Sequence, residues 1–245
     1  PPRAVAPRPP RPPRPPRLHR TARRRRRLRL VAGLVMILTL AGAATWVLVG
    51  SSLLDARSVQ VIGTRELTAD HVRASAAVPL GTPMLLLDTG QIAARVAAVP
   101  RVAAVEVSRS LPDTVRIAVT ERSPAAVWPA PDGVHLVDAT GMAYATVPEP
   151  PVGVPELRVS APRPGDPVTT AAVTVLEGLP APLRVQVRAV GADSPADVVL
   201  WLDDERQVHW GGVEDGVRKA AVLGPLLSQP GEIYDVSSPD LPTIS

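Results

Sequence analysis

From Leu30 to Gly50 the chain reads LVAGLVMILTLAGAATWVLVG, an unbroken run without a charged side chain. At a rise of about 1.5 Å per residue, a helix of that length spans roughly 30 Å, the hydrocarbon thickness of a bilayer. The run predicts one transmembrane helix, passing through Leu30, Met36, Leu40, Trp46 and Gly50. Trp46 falls near its far end, where an amphipathic ring suits the headgroup region. A cleaved signal peptide is the rival reading, because Ala41-Gly42-Ala43 follows a shorter apolar stretch. The apolar run continues through Trp46, Val47, Leu48 and Val49, which favours an uncleaved anchor.

Beyond Asp55 the pattern changes to short alternations and short helical periods. Ser58 to Gly63 alternates and then meets a glycine, which predicts a strand and turn. Thr68 is placed to cap a helix that buries Val72 and Ala76 before Pro79. Asp88-Thr89-Gly90-Gln91 has capping-box spacing ahead of Ile92, Val96 and Val99, and Pro100 stops that second helix. Val102 to Arg109 is read with Ala103, Val105 and Val107 on one side. Leu111-Pro112-Asp113 turns the chain, and Val115, Ile117 and Val119 alternate through Glu121, completing a hairpin. Strand, helix, helix, strand, strand describes a small sheet covered on one side by two helices.

The remainder is richer in strand signals. Val127-Trp128 and Val134 to Val137 flank a Pro131-Asp132-Gly133 turn, and Asp138 to Gly141 turns into Met142 to Tyr144. Pro148 to Pro167 reads as a surface connection, followed by a helix from Thr169 to Glu177 and a strand from Val185 to Val190. Val198 to Leu202 and Gln207 to Trp210 form a hairpin across Asp203-Asp204-Glu205-Arg206. A helix from about Glu214 to Leu227 and a last strand from Glu232 to Val236 complete the pattern.

Charge sorts these segments. The net charge of +4 conceals an asymmetry: residues 1–30 hold 12 Arg and no acidic residue, leaving 15 basic and 23 acidic side chains in the other residues. Arg23, Arg24, Arg25, Arg26, Arg27 and Arg29 abut the apolar run, whereas its other flank has no positive charge before Arg57. The positive-inside rule then sets the N-terminus in the cytoplasm. Residues 1–29 are expected to be a disordered, Pro/Arg-rich tail. Arg8, Arg11, Arg14, Arg17 and Arg20 recur every third position, which in polyproline II makes one stripe. Each such charge near an anionic leaflet contributes on the order of 1 kcal/mol, so inner-leaflet lipids are the expected partner. A tail that only sets topology, a proline-rich ligand and a DNA contact are the other readings of this segment.

The folded part resembles the extracytoplasmic portion of the FtsQ/DivIB bacterial division proteins, whose membrane-proximal module is a POTRA domain. The matching pieces, in order, are Val59-Gln60-Val61-Ile62-Gly63, then Gly81-Thr82-Pro83-Met84 with Asp88, then Val99-Pro100-Arg101-Val102 with Leu111-Pro112. Val119-Thr120-Glu121-Arg122-Ser123-Pro124-Ala125 follows. The likeness continues through Leu136-Val137-Asp138 with Gly141, Lys219 with Leu223, and Ile233 with Asp235-Val236. It implies an α+β chain: residues 30–50 as a single transmembrane helix, residues 55–122 as a POTRA-like β-α-α-β-β domain, and residues 123–245 as a β-rich domain. It also implies a divisome scaffold at the septum, with partners of the FtsB/FtsL (DivIC/FtsL) kind.

Chemistry is sparse. Without cysteine there is no disulfide, thiolate metal site or thiol nucleophile. The four histidines fall in no metal-binding spacing, no Gly-x-Ser-x-Gly or Ser-x-x-Lys motif is present, and Asp203-Asp204-Glu205 reads as a solvated turn. No catalytic residue, cofactor, metal or small-molecule substrate is therefore expected. An anchored or secreted wall enzyme or binding domain is the alternative class. Recognition falls to the last strand, read as an open sheet edge offering backbone donors and acceptors. By position, the resemblance implies Ile233, Tyr234, Asp235, Val236, Ser237 and Ser238 as the docking segment, with Val236→Pro as its probe.

Overall fold

The computed structural model describes a helix, α1 (His19–Gly50), and residues 54–245. The helix begins at His19, not at Leu30, so Arg23 to Arg27 lie on its first turns and not in an unstructured tail. Arginine is a good helix former, and a helix already propagating through the apolar run extends readily into it. Side chains of α1 are described from Arg29 to Ala43 and at Trp46. Within that part no stretch is long and apolar enough to cross a membrane. The side chains of Arg23 to Arg27, that of Gly50's neighbourhood, and the stripe from Arg8 to Arg17 lie outside the described residues. Arg29, Leu30, Met36, Leu40 and Trp46 are all exposed.

The first folded unit holds β1 (Ser58–Ile62), α2 (Ala69–Ala76), a 3-10 turn (Met84–Leu86), α3 (Thr89–Ala97), β2 (Val102–Ser110) and β3 (Thr114–Glu121). The sheet order is β1-β3-β2, with β3 parallel to β1 and antiparallel to β2. The helix starts are fixed as the sequence indicates: Thr68 Oγ1 accepts from His71 N, and Asp88 Oδ1 from Gln91 N. Val72, Ala76, Ile92 and Val96 from the helices cover Val115, Ile117 and Val119 of the central strand, making one core. Alternation fails at the start of β2: the register shifts between Val102 and Ala104, so Val102 is buried and Ala103 exposed. An extra residue at a bulge reverses the side on which its neighbour projects.

The second unit is one nine-stranded sheet. Its strands are β4 (Ala126–Ala130), β5 (Gly133–Val137), β6 (Ala143–Val147), β7 (Glu156–Arg158), β8 (Val187–Ser194), β9 (Asp197–Leu202), β10 (Gln207–Gly211), β11 (Ile233–Asp235) and β12 (Thr243–Ile244). Their spatial order is β12-β11-β10-β9-β8-β7-β4-β5-β6. Helices α4 (Pro167–Gly178), α5 (Ala181–Arg184) and α6 (Gly216–Leu226) complete it. Ala172 and Leu176 of α4, and Leu223 of α6, pack in the same core as Val190, Leu200, Trp210 and Tyr234.

Two expectations are corrected here. The proline-rich connection from Pro148 to Pro167 contains β7, parallel to both β4 and β8, with Leu157 buried in the core. Three residues between prolines show no alternation; pairing on both sides makes the strand. The last strand is also not the end of the sheet, since β12 pairs antiparallel beyond β11.

Candidate partner-docking edge

The end of the large sheet is built around Tyr234. Its ring is fully buried, and its hydroxyl lies 2.7 Å from Gln229 O and 3.1 Å from Gly231 O. Arg206 stands over that ring at 5.5 Å and donates through Nη1 to Leu227 O at 2.8 Å. Arg206 Nε also meets Asp204 at 2.5 Å, so this carboxylate of the acidic turn is paired with an arginine. Among the described residues no group of acidic or histidine side chains is placed to hold a metal ion.

The docking segment expected from sequence divides in two. Ile233, Ser237 and Ser238 are exposed, whereas Tyr234 and Val236 are buried and Asp235 is half-buried. β11 runs parallel to β10, pairing Val208 with Tyr234. Val236 N donates inward to His209 O at 3.0 Å, so proline there breaks a bond inside the domain, and Val236→Pro does not isolate docking. Asp235 Oδ1 accepts from Ser237 N at 2.8 Å. Partial burial alone would raise this carboxyl, but the bonds from Ser237 outweigh it and hold the group below the usual range.

The outer side of β11 is closed by the chain's own last residues. Glu232 N and Ile233 N donate to Ser245 O at 2.9 and 3.0 Å, and Ser245 N returns a bond to Ile233 O. Gly231 makes this possible, because a Cβ there would overlap Ile244 Cγ2. Arg218 on α6 pairs with Asp240 in the segment that leads to β12. Sequence reasoning missed Gly231, Thr243, Ile244 and Ser245; the only trace is a two-residue Thr-Ile step after Pro242, too short for a period. Lys219, part of the likeness to the family, is buried with Nζ donating to Gly212 O at 2.9 Å, which holds the loop into α6.

Comparison with known proteins fits both units. The family described as "POTRA domain, FtsQ-type" matches residues 54–122, and "Cell division protein FtsQ/DivIB, C-terminal" matches residues 126–241. A Streptomyces bingchenggensis protein named cell division protein FtsQ is 39% identical over 226 residues, covering 88% of this chain and 85% of its own length. The chain belongs to the FtsQ/DivIB family of cell division proteins. Relatives of the same name from Mycobacteroides abscessus and Mycolicibacterium smegmatis are 45% and 42% identical over 192 and 217 residues. Those alignments cover 78% and 89% of this chain but 62% and 65% of the relatives, so less than two thirds of their length is spanned. Arg122 and Asp138, both within the pieces that carried the FtsQ/DivIB likeness, meet at the junction of the two matched units.

Proposed function

We propose that this chain is a bitopic scaffold of the division machinery: α1 crosses the membrane, the arginines lie at the cytoplasmic leaflet, and the two folded units stand outside. In this reading it acts by binding, without catalysis. The distal sheet end, β11 with its short cover β12, receives an extended segment from membrane division proteins of the FtsB/FtsL (DivIC/FtsL) kind. One observation carries this: β11 is paired on its outer side with the short strand β12, whose displacement opens a ladder to an incoming strand. Family membership supports a place at the septum, and the uncharged run beside an arginine cluster supports the topology.

A photo-crosslinking residue at Ile233, Ser237 or Ser238 tests the edge directly, because these side chains reach solvent without disturbing the core. Crosslinks to membrane division proteins in growing cells are expected from these positions and not from Val152. Equal labelling at all four positions, or none, would defeat the edge. Protease added outside intact cells is expected to digest the folded units while leaving the arginine segment.

A further inference from the structure

The POTRA-type unit exposes an apolar cluster at one end. Leu80, Leu85, Leu86 and Leu111 are 60%, 55%, 63% and 63% exposed, and Pro79 and Pro112 beside them are exposed too. Isolated exposed leucines need no explanation, but a grouped set marks a surface that meets something.

Hydrogen bonds show that these leucines share one end. Ala56 N donates to Thr82 O at 2.9 Å, and Gly81 N to Ala56 O at 2.9 Å, with Asp55 bridged to Pro83. Arg57 N donates to Asp113 O at 2.8 Å, beside the Leu111 turn. The Arg109 guanidinium, two residues before Leu111, holds Met84 O and Leu87 O at 2.7 and 2.6 Å and so fixes the turn that displays Leu85 and Leu86. This is also the end at which the chain arrives from α1. Only three residues separate Gly50 from Leu54. At about 3.5 Å for each of the four Cα–Cα steps at full extension, the gap is at most about 14 Å, which keeps this end close to the headgroup zone.

We infer that this end of the unit is seated on the lipid surface: Leu80, Leu85, Leu86 and Leu111 enter the interface of the leaflet from which α1 emerges, and the bilayer is their partner. The inference rests on the proposed membrane anchor. Asp88 and Asp113, at the same end and occupied with Gln91 N and Thr114 Oγ1, limit the depth to the headgroup boundary. The seat fixes the height and tilt of the folded units above the membrane, which a single tethering helix does not do.

The chain has no cysteine, so single cysteines report one position each. The full chain is reconstituted in phosphatidylglycerol/phosphatidylethanolamine nanodiscs with an environment-sensitive fluorophore at Met36→Cys, Leu85→Cys, Leu111→Cys or Val152→Cys. Quenchers on lipid acyl chains are expected to reach the probes at 36, 85 and 111, and aqueous iodide to quench several-fold more weakly at 85 and 111 than at 152. Unlabelled chain gives a second reading: amides of residues 80–87 exchange more slowly in nanodiscs than in detergent. If lipid quenchers reach position 36 but positions 85 and 111 behave like 152, the seat is wrong and the anchor stands. If position 36 is not reached, both fall.

Discussion

Arg122 and Asp138 form a largely buried ion pair between the last residue of the POTRA-type unit and the turn after β5. Arg122 also donates to Pro100 O at 3.0 Å, and Asp138 accepts from Thr140 N, Thr140 Oγ1 and Met142 N. Both Asp138 oxygens and the Nε and Nη1 of Arg122 are thus occupied, and the junction is held from both sides.

Removing Asp138 leaves the partly buried Arg122 charge without its carboxylate. Asp138→Ala is expected to destabilise the large sheet by about 2 kcal/mol, between the scales for an exposed and a fully buried pair. Urea unfolding followed by tryptophan fluorescence reads this, since Trp128, Trp201 and Trp210 all lie in that unit. A double-mutant cycle with Arg122→Ala should return a coupling well above that of the exposed Arg218–Asp240 pair.

Acid should unfold the protein in a defined direction. Burial pushes the Glu121 and Asp138 carboxyls up, but hydrogen bonds dominate: three backbone N–H groups at Arg65, Glu66 and Leu67 for Glu121, and Thr140, Met142 and Arg122 for Asp138. Both sit below the usual range. In the unfolded chain these groups titrate near pH 4. Folding therefore favours the ionised forms; their contribution is complete above about pH 5 and is lost as pH falls through the depressed folded values. Stability measured at stepped pH should be level near neutrality and decline below about pH 4, with a shallower decline in Asp138→Asn. In Glu121→Gln, the amides of residues 65–67 should exchange faster.

Gly231→Ala places a methyl group where Ile244 packs. It should free β12, so that the amides of Glu232, Ile233 and Ser245 exchange faster while those of β8 and β9 stay protected. Under the proposed function it also raises partner recovery, because β11 is uncovered.

Leu157→Ala should cost about 2–5 kcal/mol, as expected for truncating a core leucine, although its strand has three residues. A loss below 1 kcal/mol would mean that β7 is a surface bridge after all.

The caps at Thr68 and Asp88, and the alternation of Val115, Ile117 and Val119, were legible because the signal is local: a side chain and an amide three residues away, or a period of two over eight residues. Ala103 was misread because a bulge is a property of the pair of strands. β7 escaped because a central parallel strand needs no polar alternation and here is bounded by proline-rich turns. β12 escaped for a related reason: two residues acquire strand character only from Ile233 to Asp235 beside them. The segment from Ile233 to Ser238 was legible as a strand near the end of the sheet, but which of its side chains reach solvent depends on the fold of α6 and Arg206 above Tyr234.

The seam at β7 has a mechanical meaning. Within the ladder, the half that adjoins the junction (β6, β5, β4) joins the half that ends at β12 only through Glu156 to Arg158, with a single residue pair between Val127 and Glu156. Tension applied at the far rim and resisted at the tether converges on that short stitch, backed by α4 lying against β8 and β9. Pulled from opposite ends, the sheet should part there first, and the core that Ala126 and Val137 share with Leu176 and Val190 should open with it.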